Sequence, residues 1–212
     1  MSAAASAQSV ENESGHPARR REEGGIAPKA IIAGYGFWLF LVSDIILFSG
    51  FFAAYAVLSK NTDGGPSGAQ LFHLDTVAIE TFCLLASTFT CGMASMAAAF
   101  KSMRWTLLSL LATGLLGTAF VGLELREFMT MIAQGAGPQR SAFLSSFFAL
   151  VGCHGVHVCI AILWCGTMMA QFLAKGFRDD IIRRMMCFAL FWHALDIVWV
   201  AVFTIVYLMG VR

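Results

Sequence analysis

The chain has 212 residues, a formal net charge of +1, 58% hydrophobic residues and only 13% charged ones, with a mean hydropathy of +0.73. Soluble domains carry about 25% charged and about 45–50% apolar residues, so the composition excludes an ordinary soluble domain and marks an integral membrane protein. It also excludes a basic surface for nucleic acid, and it leaves the six cysteines without a CxxC pair or a zinc or haem spacing. They read as small apolar packing residues, and disulfides are not implied.

Residues 1–28 are rich in Ser, Ala, Glu and Gly and contain the run Arg19-Arg20-Arg21-Glu22-Glu23. No apolar core precedes that run, so the segment is not read as a signal peptide. It is predicted to be a disordered polar tail. Residues 29–212 form the second region, a transmembrane domain with five apolar runs at about 31–58, 77–100, 105–132, 142–172 and 185–209. Each exceeds the roughly 20 residues that a helix needs to cross the hydrocarbon. The expected fold is therefore an all-α bundle of five transmembrane helices. The four prolines, Pro17, Pro28, Pro66 and Pro138, fall in the tail or in connections, which suits uninterrupted helices.

Lys and Arg divide unevenly between the two sides of such a bundle. The tail, the second connection and the fourth connection together carry ten, and the opposite side carries Lys60, Arg140 and Arg212. Cytoplasmic loops are the Lys- and Arg-rich ones, so the N-terminus is expected in the cytoplasm and the C-terminus in the periplasm. The second run carries small residues at helical spacing, Ser87, Cys91, Ser95 and Ala99 beside Ala86, Thr90, Ala94 and Ala98. Small faces let membrane helices approach closely, so this helix is expected to be central. Trp105 and Tyr207 read as interfacial anchors.

Ionisable side chains inside these runs are the candidate functional residues. Asp44 lies midway along the first run, His154 and His157 near the middle of the fourth, and His193 and Asp196 near the middle of the fifth. A charged carboxylate at that depth is unfavourable by about 3 kcal/mol on insertion scales, so Asp44 needs a partner, most simply a mid-depth histidine. His154 and His157 share a helix face at i, i+3, and Gly152 and Gly155 leave room beside it. Four readings of this group stay open on the residues alone. They are metal or haem ligation by His154, His157 and His193; a proton path through Asp44, the histidines and Asp196; a lipid- or subunit-binding face; and a satisfied polar network that locks helices together. Glu80, Glu124, Arg126 and Glu127 lie toward the outer ends of their runs and read as an interfacial cluster with snorkelling side chains.

Three stretches carry a resemblance to a known family: G-F-W-L-F-L-V-S-D-I-I-L-F-S-G-F-F-A-A-Y-A-V-L (36–58), G-P-Q-R-S-A-F-L-S-S-F-F-A-L-V-G-C-H-G-V-H-V (137–158) and R-M-M-C-F-A-L-F-W-H-A-L-D-I-V-W-V-A-V-F-T-I-V-Y-L-M-G (184–210). With E-T-F (80–82) and L-E-L-R-E-F (123–128), they resemble subunit III of the haem–copper oxidases, and most closely the cytochrome o ubiquinol oxidase branch. The H-G-x-H and W-H-x-x-D motifs are the specific part of the match. The resemblance implies a non-catalytic subunit of a proton-pumping complex in the bacterial inner membrane, which reduces oxygen to water with electrons from ubiquinol. It implies no cofactor in this chain, with haems and copper in a partner subunit I, further partners in subunits II and IV, and phospholipid held between helices. Family members often have a carbodiimide-reactive glutamate where Asp44 stands, and seven-helix members have two additional N-terminal helices that this chain lacks. Two other functions are weighed against it: subunit III of a cytochrome c oxidase, and a stand-alone proton-coupled transporter.

Overall fold

The computed structural model describes residues 29–59, 61–62, 74–208 and 210; the polar tail expected at 1–28 lies outside them. Five helices account for nearly all of the described chain: α1 Lys29–Leu58, α2 Leu74–Ala99, α3 Met103–Ala133, α4 Ala142–Lys175 and α5 Asp179–Val202. A π-helical turn, Phe203–Leu208, continues α5. All five are long and apolar enough to span a membrane. No strand occurs among the described residues.

The α5 helix starts earlier than the apolar run at 185–209. Its first turn holds Asp179 and Asp180, whose negative charge suits the positive end of the helix dipole. Hydropathy alone reads that turn as a loop. At the other helix ends the chain uses local chemistry. The Ser141 side chain accepts from Leu144 N–H at 3.2 Å and caps α4. Gly176 ends α4 with φ +66°, a conformation costly for residues with a Cβ.

Helices α2, α3, α4 and α5 form a closed ring of antiparallel neighbours, with α5 returning to pack on α2, and α1 lies outside the ring against α4 and α5. The core of the ring is aromatic, with Phe120, Phe147, Trp192, Trp199 and Tyr207 fully or almost fully buried. The lipid-facing surfaces carry the large exposed apolar side chains, among them Trp38, Ile46, Phe82, Phe89, Leu163 and Ile197. The expectation that α2 is central is corrected: α4 and α5 are the most enclosed helices, and α2 makes its closest approach sideways, to α3. The small-residue face serves that approach. Cys91, Ala94 and Ala98 are buried, and the Thr90 and Thr113 hydroxyls hydrogen-bond across the seam at 2.8 Å.

Two tryptophans fasten α5 to α2. Trp192 Nε1 donates to Ser87 Oγ at 3.0 Å, and Trp199 Nε1 donates to Thr81 Oγ1 at 3.1 Å. The steps of seven residues on α5 and six on α2, run in opposite directions, fix the antiparallel register. Gly117 of α3 makes the ring possible at this level, because a Cβ there would lie 2.8 Å from the Trp192 ring. Gly117→Ala should therefore destabilise the helix bundle by about 1–3 kcal/mol, as overpacking does. Gly122→Ala, which meets open space, should not. Comparative thermal denaturation of the two variants in detergent checks the pair.

Candidate functional site

The mid-depth ionisable groups fall into separate places. At the α1–α4 seam, His157 Nε2 stands 3.6 Å from Asp44 Oδ1, and both side chains are mostly enclosed. The other ring nitrogen, Nδ1, is 2.7 Å from the Cys153 carbonyl one turn earlier. A carbonyl only accepts, so Nδ1 carries a proton. Nε2 then faces the Asp44 carboxyl across a gap that is longer than a direct hydrogen bond. Phe48 covers the pair, its ring 5.3 Å from His157.

His154 turns toward the ring core. It is fully buried, stacks on Trp199 at 5.3 Å and meets the edge of Phe120 at 5.9 Å. Neither ring nitrogen has a hydrogen-bond partner. The i, i+3 spacing thus places the two imidazoles on adjoining faces of α4. Position 154 continues the core stripe of Phe147, Leu150, Val151, Val158 and Ala161, and position 157 turns to α1.

Asp196 is buried on the α5 face that meets α2, beside Thr88 and within electrostatic reach of His193, which is itself half-buried. Asp44, the histidines and Asp196 therefore do not form one chain of contacts. The three imidazoles do not converge either: among the described residues no group of three His, Cys, Asp or Glu side chains could hold a metal ion. Both the ligation reading and the continuous proton path lack their geometry.

The second group differs most from expectation. Glu80, Glu124 and Glu127 do not snorkel to an interface. They are only 0%, 3% and 8% exposed, and none of their carboxyl oxygens has a hydrogen-bond partner. Glu124 lies within electrostatic reach of both Glu80 and Glu127. Only Arg126 of the four is exposed. Helix geometry explains the split. Phe120, Glu124, Glu127 and Met131 recur at three- and four-residue steps along the buried stripe of α3, and Arg126 falls between them with Leu125 and Met129 on the outer side. Gly155 of α4 provides space for this arrangement. A Cβ at that position would sit 3.3 Å from both Glu124 carboxyl oxygens, so the gap beside the histidines is filled by a neighbouring helix's carboxyl group.

Tyr207 also departs from its expected role as an interfacial anchor. The π turn rotates it inward, where it is fully buried, 5.9 Å from Phe147 and within electrostatic reach of all three glutamates. In the same turn, the Val206 carbonyl accepts from Tyr55 of α1 at 3.3 Å. Trp105, by contrast, is exposed.

These features define a class: a multi-pass helical membrane protein whose mid-depth ionisable groups, among the described residues, turn toward its own helices. The comparisons with known proteins are more specific. The model of the family described as cytochrome c oxidase subunit III matches residues 25–211. A curated relative from Pseudomonas aeruginosa, cytochrome bo(3) ubiquinol oxidase subunit 3, is 52% identical over 176 residues, covering 83% of this chain and 84% of the relative. A quinol oxidase subunit 3 from Bacillus subtilis is 42% identical over 175 residues, covering 82% and 86%. A cytochrome c oxidase subunit 3 from Bacillus sp. strain PS3 is 40% identical over 178 residues, covering 82% and 84%. The chain belongs to the cytochrome c oxidase subunit III family.

The Asp44–His157 contact ties the outlying α1 to the ring, and its worth is measurable. In a double-mutant cycle of Asp44→Asn and His157→Ala, groups in contact should show a coupling of about 0.5–3 kcal/mol in bundle stability. The check is the thermal midpoint of the four proteins; additive losses would mean that the two groups do not interact.

Proposed function

We propose that this chain is the non-catalytic subunit III of a proton-pumping terminal ubiquinol oxidase of the cytochrome o type, in a complex that reduces oxygen to water. The observation that carries the reading is the match of the family model over residues 25–211, which include all five helices, together with the 52% identity to the ubiquinol oxidase relative over 83% of the chain. Its role there is to stabilise the catalytic subunit, with subunits II and IV as further partners. Haems and copper belong to the catalytic subunit. The exposed apolar faces of α1 and α4 suit helices of a partner or phospholipid acyl chains. The complex belongs, in this reading, to the bacterial inner membrane, and the Lys and Arg distribution supports a cytoplasmic N-terminus and a periplasmic C-terminus.

A second reading, subunit III of a cytochrome c oxidase, is favoured by the 40% identity to the relative of that name. Purification through a tag on this chain in mild detergent tests both. The expected result is a haem-containing complex that consumes oxygen with ubiquinol and not with reduced cytochrome c. A haem-containing complex with the reverse donor preference supports the second reading. A haem-free, solitary chain overturns both.

A further inference from the structure

A cavity of about 220 Å³ opens at the end of the bundle where α2 begins and α3 ends, lined by Thr76, Leu123, Arg126, Glu127, Thr130 and Gln134 together with Met131. We propose that this cavity is a water-filled site through which protons reach and leave the buried carboxyl groups of Glu127, Glu80 and Glu124.

Four observations support it. First, Glu127 lines the cavity and yet is only 8% exposed, with both carboxyl oxygens unpartnered by protein. Buried polar groups are as a rule satisfied by protein or by ordered water. Second, the lining includes residue types that water can bond, Thr76, Thr130, Gln134 and Arg126, and the Glu127 carboxyl oxygens lie buried behind it. The volume is many times the 10–15 Å³ or so that one water requires. Third, Arg126 and Glu127 line the same space, but no ion pair joins them among the described residues. Polar groups that share a space at more than hydrogen-bond distance leave room for a bridging water. Fourth, Glu80 and Glu124 lie behind Glu127, each within electrostatic reach of it. Three negative charges so close together in a dry interior would repel one another strongly, and a buried ion costs several kcal/mol or more unless it is paired. Among the described residues no cation stands between them: Arg126 is exposed on the outer side of α3, and His154 is held between Trp199 and Phe120. The cluster therefore carries protons. Each proton gained from a hydronium in the cavity leaves a water there, and each proton lost returns to one. Tyr207 and Tyr55 are the other titratable groups facing this region.

The test uses the full chain in whatever complex it purifies with. Infrared spectra are recorded as H2O is replaced by D2O. The expected result is a carboxylic-acid C=O band that shifts within minutes and is reduced in Glu124→Gln. Thr76→Phe, which narrows the cavity, should slow the shift severalfold. An independent arm uses a small hydrophilic thiol reagent. Thr130→Cys, in the cavity lining, should be modified, and Met129→Cys, on the lipid side of the same helix, should not; mass spectrometry assigns the site against the native cysteines. A band that stays unshifted over a day in D2O, no band that responds to Glu124→Gln, or a Thr130→Cys as unreactive as Met129→Cys would each overturn the proposal.

Discussion

A helix in hydrocarbon must answer its polar side chains from within the protein, because no solvent is there to do it. That constraint organises this chain. Each buried indole N–H of α5 that holds the ring finds a hydroxyl on α2. The Thr90–Thr113 bond closes α2 on α3, and Cys165 donates to the Leu110 carbonyl from α4 to α3 at 3.4 Å. These contacts do more than satisfy donors. Apolar surface alone gives helices in lipid little reason to prefer one register, since the acyl chains are as apolar as leucine. Directional bonds and close steric fits, such as Gly117 under Trp192, fix the register.

Against that background, the unpartnered groups carry the most information. Among the described residues, the buried polar atoms without a hydrogen-bond partner include Thr88 Oγ1 and Asp196 Oδ1 at the α2–α5 seam, both ring nitrogens of His154, and the carboxyl oxygens of the three glutamates near one end. His154 is enclosed by aromatic rings and has no polar space beside it. Glu127 borders a cavity. The distinction between a polar group sealed in the core and one at the edge of a polar space separates a packing role from a site.

The Asp44–His157 pair shows how an outlying helix is held. Most of the surface of α1 faces away from the ring, and among the described residues the helix packs mainly on α4 and α5. Its mid-depth attachment is the contact between the Asp44 carboxyl and the His157 imidazole, and its attachment near the end is the Tyr55 hydrogen bond to the π turn. In a family whose members assemble into oxidase complexes, such a helix has two sides to satisfy. The polar contacts face its own bundle, and the apolar surface is left for whatever adjoins it in the membrane.

Much of this was legible in the sequence. Long runs of apolar residues without proline can only be spanning helices, because lipid tolerates no unpaired backbone. The H-G-x-H and W-H-x-x-D motifs led to the family that the comparisons established. The need of Asp44 for a partner followed from the cost of a lone carboxylate. The sequence did not determine which way each group pointed. His154 and His157 are three residues apart, yet one faces three aromatic rings and the other an aspartate, since α4 presents adjoining faces to the ring and to α1. Glu80, Glu124 and Glu127 lie near helix ends, where depth alone suggests snorkelling. Their burial was decided by α2, α3 and α4 closing over them, and by Gly155 leaving the space that the Glu124 carboxyl fills. Depth is a property of the run in which a residue stands and can be counted along the chain. Direction depends on which helices pack on which faces, and only the tertiary structure decides that.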